Sequence, residues 1–598
     1  MCGICGWLAG ERQVDPATLD RMRDSMAPRG PDAAGAWYAD DRRVGLGHRR
    51  LAILGLSPLG NQPMVSSDGR FVIVFNGEVY NFRELAQRHL GPSFEGRTGT
   101  DTEVVLELLA KLGPDALPLL RGMFAIAVWD RTERTLLLAR DFAGIKPLYY
   151  ARTRDGGLLF ASQTRAILRS GLVDDAADPK AQACFLLFGH LLTGFGWHRE
   201  VREVPPGHWI RFGEGGQTGP VRFDSLEAAF EPDGARPLDL GEALRGTVRA
   251  HFVSDVPVSV FLSAGKDSTT LLALSSEVQG ADLRAVTLGF EEYQGTPDDE
   301  VPIACEVAGL YGAHHQVALI RRSDFRDELP RILEAMDRPS IDGVNTYFVC
   351  RAASSLGVRV ALSGLGGDEL LGGYPSFAQL PRWMRLAKPW RRVGRTARSV
   401  ARSLPMPNGV SPKAVSFFEY AHSLEGAFFL RRGLFLPWEL EGLLGRDWAR
   451  EALRDWDPLE ELRALAPRHL PRRSRIALLE MRAYMIPRLL VDSDWASMAH
   501  SLELRVPLVD RELYRAVGPH VGGANPPTKD DLVRSPQRPL PPSVTERPKT
   551  GFQVPVREWL AEESGLPAAH SLRDWAKLVL ARREGFEAFD HLRRTVAG

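Results

Sequence analysis

Short apolar or alternating segments, set apart by turn residues, recur through residues 1 to about 210 and predict strands at 71–80, 123–129, 135–140, 148–152 and 158–161. Arg154-Asp155-Gly156-Gly157, between the last two, reads as a hairpin turn. Helical periodicity at 16–26 and 101–112 interrupts the strands, so an antiparallel α+β unit is expected. From Pro205 to about Asp239 Gly, Pro and charge accumulate and the periodicity fades, as at a joint. Beyond it, apolar runs at 256–262, 285–290, 316–320 and 358–362 alternate with helical stretches such as 267–279 and 301–311, the pattern of a parallel sheet with helices on its faces. Residues 410–598 read as mainly helical, and no internal repeat emerges. The expected division is a first unit 1–210, a linker 211–239 and a second unit 240–598.

A chain of 598 residues has room for two or three full cores. Lys and Arg number 75 against 75 Asp and Glu, which removes any global electrostatic argument for nucleic acid or membrane and turns the expectation toward small molecules. No apolar run approaches the ~18 residues of a spanning helix, and no basic segment precedes the apolar start. Five cysteines, three of them widely scattered, resemble neither a disulfide scaffold nor a paired zinc ribbon. A soluble, cytoplasmic protein is expected. The basic run from Arg382 to Arg402 is left without a function.

Cys2 stands directly after Met1, and a small second residue permits removal of the initiator. Removal would leave a thiol and a free α-amine on one residue, and an amine of pKa ~7.7–8.0 can take the thiol's proton without another base. A buried inert thiol, a Cys2–Cys5 redox pair and half a zinc site are the competing readings. Arg50, Asn76-Gly77-Glu78 and Gly99-Thr100-Asp101 offer groups suited to an amino acid: a guanidinium for its carboxylate, acids for its ammonium, and an amide beside a glycine N–H for an oxyanion. Met1-Cys2-Gly3-Ile4, His48-Arg49-Arg50-Leu51, the run Phe75 to Asn81, and Asp141 with Gly144 to Tyr150 resemble the glutaminase domain of class II glutamine amidotransferases. That resemblance implies an αββα N-terminal nucleophile hydrolase sandwich. In it Cys2 would attack the glutamine side-chain amide, Asn76 and Gly77 would stabilise the oxyanion, and Arg50, Glu78 and Asp101 would join them in binding glutamine.

In the second unit an apolar strand runs into Ser263-Ala264-Gly265-Lys266-Asp267-Ser268-Thr269, where small residues and hydroxyls set backbone N–H groups against a phosphate. The loop resembles the PP-loop of ATP pyrophosphatases, with Ala264 and Lys266 as departures. A second loop, Ser363-Gly364-Leu365-Gly366-Gly367-Asp368-Glu369, follows the run 358–362. Across a sheet crevice Asp267 and Asp368 could both ligate Mg²⁺. With Asp494, the segment Ser497 to Glu503, Arg505-Val506-Pro507, Asp510 and Arg547 to Phe552, these loops resemble the synthetase half of glutamine-hydrolysing asparagine synthetases. The resemblance implies ATP-dependent adenylation of a carboxylate, then displacement of AMP by ammonia. Leu262, Ser263, Gly265, Asp267, Ser268, Leu288, Ser363 and Gly364 would hold ATP, and Lys549 would stabilise the pentavalent phosphorus.

The family commonly carries Glu where this chain has Leu365. Either Glu369 or Asp342 replaces that carboxylate, or the acceptor is not aspartate. Aspartate is the expected acceptor, and a sugar acid, a carrier-bound acyl group or a peptide carboxylate are the alternatives, with a β-lactam-synthetase-like ligase after them. A homodimer is compatible with the resemblance. His314-His315 and Asp299-Glu300 are read as structural.

Overall fold

The computed structural model describes residues 2–584 apart from 93, 215, 233–236, 391–393, 395, 397–410, 549–558 and 560–570. The first half is built on two six-stranded sheets. One orders its strands Val201–Glu203, Tyr149–Arg152, Leu158–Ala161, Gly3–Leu8, Val44–Arg50, Ala33–Tyr38; the other, Gly216–Arg222, His208–Gly213, Thr135–Arg140, Gly122–Asp130, Phe71–Val79, Met64–Val65. The period-2 alternation of a strand explains how they stack. Along Phe71–Val79, Val72 and Val74 join Ile4, Leu46 and Phe160 between the sheets, whereas Ile73 and Phe75 meet Val105 and Leu109 of the helix Asp101–Leu112. On the far side Cys5 and Trp7 pack on Leu19 and Met22 of the helix Pro16–Asp24. Helix, sheet, sheet, helix is the αββα layering that the sequence led one to expect.

The second half carries a five-stranded parallel sheet in the order His314–Ile320, Arg284–Phe290, Val258–Phe261, Val360–Leu362, Glu503–Arg505, followed by a largely helical part. The short edge strand Glu503–Arg505 has too few residues for a periodic signal and was not expected. The strands Gly3–Leu8, Ala33–Tyr38 and Val44–Arg50 also escaped, because glycines break their alternation. The strand Gly216–Arg222 lies within the segment read as a linker. Every residue of it is exposed, so no apolar pattern marks it, and it extends the sandwich through its pairing with His208–Gly213.

One apolar cluster crosses between the halves. Leu51, Met123, Ala143 and Ile145 of the sandwich are continuous with Leu490, Met498, Val506 and Leu508. Among the described residues no helix is long and apolar enough to cross a membrane.

Candidate functional site

The start of the chain and the end of a strand meet across the sandwich. Cys2 precedes Gly3–Leu8 of one sheet, and Asn76-Gly77-Glu78 close Phe71–Val79 of the other. The Cys2 N–H donates to Asn76 Oδ1 at 2.9 Å, and among the described residues the buried Asn76 Nδ2 has no hydrogen-bond partner. An unmatched buried donor costs about 1–3 kcal/mol, so this one is poised for an incoming oxygen. Gly77 is forced by packing, since a Cβ there would lie 2.1 Å from the Met123 carbonyl oxygen. Burial pushes the Cys2 thiol up, so in this enclosed setting the neutral thiol is the resting form.

Asp101 heads its helix. Its Oδ2 accepts from the Val79 N–H at 2.8 Å, and burial raises it to about 6. Glu78 is held well above the carboxylate range by burial and by Glu503. Arg50 is committed locally: its guanidinium donates to the carbonyls of Leu54, Gly55 and Ser57 and to Asn61 Oδ1, and so ties down the loop 54–61. Asp141 is a structural corner, accepting from the N–H groups of Phe124, Ala143, Ile145 and Lys146.

The second half completes this site. Arg29 Nε donates to the Cys2 carbonyl at 3.1 Å, and its two terminal nitrogens grip Asp494 at 2.7 and 3.0 Å. Asp494 sits on the helix Val491–Met498. From the edge strand, Arg505 Nε donates to Glu503 Oε1 at 2.6 Å, faces Glu78 at 3.8 Å, and lies over the Tyr80 ring at 5.6 Å. A further, part-buried pair, Arg121 with Asp510, spans the halves at 3.0 Å.

At the carboxyl ends of the parallel strands lies a cavity of about 720 Å³. This is the crevice where open α/β sheets bind ligands. Its lining includes Leu262, Ser263, Gly265, Asp267, Ser268, Leu288, Ser363, Gly364 and Asp368, so all the expected nucleotide and metal residues come together. The phosphate loop is held by its own hydroxyls: Ser263 Oγ lies 2.8 Å from Ser268 Oγ and accepts from the Gly265 N–H at 3.1 Å. Glycines bring the second loop against the first. A Cβ on Gly364 would lie 2.9 Å from Asp267 Cβ, and one on Gly367 would lie 2.3 Å from Asp267 Oδ1. Asp267 and Asp368 converge on the Lys529 ammonium, with Asp368 at 3.1 Å. Two carboxylates already sharing one cation fit Mg²⁺, which binds through one or two carboxylates plus substrate phosphate. Among the described residues no group of three His, Cys, Asp or Glu forms an all-protein cage.

Of the two acids weighed against Leu365, Asp342 lines the cavity and Glu369 does not. Glu369 is buried, accepts from the Tyr374 hydroxyl at 2.8 Å and is pushed to about 7 by burial and by Asp368. Lys266 pairs with Asp530 at 3.4 Å on the cavity wall. His315 Nε2 lies 2.7 Å from Thr287 Oγ1 within the sheet, in keeping with a structural histidine. Lys549 lies outside the described residues. Sequence reasoning missed Arg29, Lys529, Asp492 and Arg473. Only their three-dimensional neighbours distinguish them, since isolated Lys, Arg and Asp residues are common everywhere in the chain.

Residues 1–223 match the glutamine amidotransferase domain family, and residues 239–594 match the asparagine synthase family. Asparagine synthetase 1 (glutamine-hydrolyzing) of Bacillus subtilis is 29% identical over 97% of this chain and 90% of its own length. Asparagine synthetase B (glutamine-hydrolyzing) of Escherichia coli is 30% identical over 64% of this chain and 66% of its own. A protein of Gibberella zeae named amidase chry2 is 30% identical over 63% of this chain and 60% of its own.

Proposed function

The chain belongs to the asparagine synthase family, and from that premise we propose that it makes asparagine in the cytoplasm, from aspartate, ATP and the side-chain nitrogen of glutamine. It is a carbon–nitrogen ligase that takes its nitrogen from glutamine. The observation that carries the reading is the Cys2–Asn76 contact: Oδ1 is taken by the Cys2 nitrogen and Nδ2 is buried without a partner.

With Met1 removed, the Cys2 nitrogen is an α-amine that accepts the thiol proton. The sulfur attacks the glutamine side-chain carbonyl, whose oxygen takes its charge against Asn76 Nδ2 and the Gly77 N–H. Collapse breaks the C–N bond, the proton leaves with ammonia, and water releases glutamate from the thioester. Glu78 and Asp101 would receive the glutamine ammonium. Arg50 acts on the carboxylate side together with the loop 54–61 that it ties down.

Ammonia must cross unprotonated to stay a nucleophile, and the continuous apolar cluster between the halves supports such a path. In the cavity an oxygen of the acceptor carboxylate attacks the α-phosphorus of ATP and pyrophosphate leaves. Ammonia then attacks the acyl carbon and AMP departs with its oxygen. Ser263, Gly265 and Ser268 cradle phosphate, Leu262 and Leu288 flank the nucleoside, and Ser363 and Gly364 lie across from them. Mg²⁺ held by Asp267 and Asp368 would neutralise the departing pyrophosphate. Lys529 already supplies a positive charge there, and Lys549 would supply a second.

Leu365 favours a second reading, the same two-step chemistry on another carboxylate, because leucine can neither accept a proton nor bind an ammonium. Product analysis with ATP, ¹⁵N-amide glutamine and a panel of carboxylic acids separates the two. Labelled asparagine is expected; label in another amide with none in asparagine rejects aspartate as the acceptor.

A further inference from the structure

Charge is balanced around most of the cavity. Arg488 holds Asp342 at 2.9 Å, Lys529 bridges Asp267 and Asp368, and Lys266 meets Asp530. Arg547 lies 4.0 Å from Glu300. Arg473 breaks this pattern. Its side chain lines the cavity from the first turn of the helix Arg472–Glu480, yet among the described residues no acid or carbonyl accepts a hydrogen bond from it. The face of Phe377, 5.2 Å from the guanidinium carbon, is its neighbour, and its Nε is buried without a partner.

The backbone makes room for this side chain. Gly372 has φ +73, and a Cβ there would lie 2.4 Å from Arg473 Nη2. The position therefore excludes side chains twice, by conformation and by the guanidinium itself. Gly372 also closes the short helix that carries Asp368, so the guanidinium stands on the segment that presents the reacting end of the cavity. The same cavity wall includes the apolar side chains of Leu365, Leu371 and Leu489. Burial without a counter-ion pushes the guanidinium down, a strain that an arriving anion would relieve.

We propose that Arg473 anchors a second carboxylate on the acceptor, so that the cavity selects dicarboxylic acids: one carboxylate is adenylated while the other lies against the guanidinium fork. The inference rests on the adenylating function proposed above and deepens it. A planar fork matches a carboxylate through two parallel hydrogen bonds, which fixes orientation as well as charge. For aspartate, the retained group is the α-carboxylate. The same fork also suits a phosphate of ATP, so the test must separate these two sources of anion.

ATP–pyrophosphate exchange driven by aspartate and succinate is compared with exchange driven by β-alanine and propanoate, which lack the second carboxylate. The wild-type protein should favour the diacids. Arg473→Gln should lower kcat/KM for the diacids ~10- to 100-fold, the loss of a charge-assisted hydrogen-bonded pair. Its monoacid rates and its KM for ATP should stay unchanged, and Arg473→Lys should recover part of the loss. Glutamine hydrolysis by both variants reports that the chain is folded. A rise in the KM for ATP with diacid preference intact would place the guanidinium at the triphosphate and overturn the proposal, as would a wild-type preference for monoacids. Exchange with none of the four acids overturns the adenylating function itself, and the anchor with it.

Discussion

The two candidate sites treat charge differently. Around Cys2, two arginines are matched by buried acids: Arg29 by Asp494, Arg505 by Glu503 and Glu78. Several of the matching partners come from the other half of the chain. Among the described residues, the cavity beyond the parallel sheet is lined by residues from Phe261 to Pro548, with nothing from the sandwich, Arg473 has no acid beside it, and two carboxylates gather on one lysine. A site that cleaves a small neutral amide benefits from fixed dipoles and a dry enclosure. A site that handles a polyphosphate and an acid must leave counter-charges for its ligands to complete. The dependence is therefore one-sided: the cysteine site needs the synthetase half for its geometry, and the cavity does not need the sandwich for its walls.

Cys2→Ala tests that asymmetry most severely. Glutamine-dependent amide formation should fall by ~10³-fold or more, while amide formation from added ammonium persists. Loss of both in a folded variant would mean that the centres are not separable. Lys549→Ala is the converse experiment. AMP formation should fall ~10²- to 10³-fold with either nitrogen source, as for loss of one preorganised charge on a transition state, while glutamate release continues.

Asp494→Ala probes the link itself. Stranding Arg29 should destabilise the fold by ~3–5 kcal/mol in thermal or urea unfolding, because a buried guanidinium loses the acid that pairs with it. Glutamate release should decline more than ammonium-dependent synthesis, since Arg29 also holds the Cys2 carbonyl. The opposite ranking would refute the one-sided dependence.

A smaller effect comes from pH. Burial holds Asp492 at about 7 and Asp101 at about 6, both above the ordinary carboxylate value. The native state therefore keeps protons that the unfolded chain has already released. Their contribution lowers stability as pH rises from the ordinary carboxylate range toward 7, and the penalty is complete above that. Asp492→Asn should flatten this decline in a Tm–pH profile by a few degrees, ~2–4 °C. An unchanged slope would remove Asp492 from the account.

Much of this was legible in the chain. The strands 135–140 and 158–161 appear with the bounds their patterns predicted, as Thr135–Arg140 and Leu158–Ala161. The helix Asp101–Leu112 appears where its periodicity placed it, capped by Thr100. Both loops of the cavity were recognisable because small residues and hydroxyls gathered at a strand-to-helix turn are a local signal. The strand Glu503–Arg505 was invisible for the opposite reason. Three residues carry no period, and it forms only because Val360–Leu362 offers an open edge.

The sequence by itself determined the two folds and singled out Cys2 and the two glycine-containing loops that the structure brings to the candidate sites, since each depends on residues a few positions apart and on side-chain alternation. Only the tertiary structure decided that Arg29 reaches across 465 positions to Asp494, that Lys529 sits between Asp267 and Asp368, and that Arg473 lines the cavity beside the face of Phe377. Charge pairing depends on distance in space and on the water excluded there, and neither quantity is written in the spacing of residues along a chain.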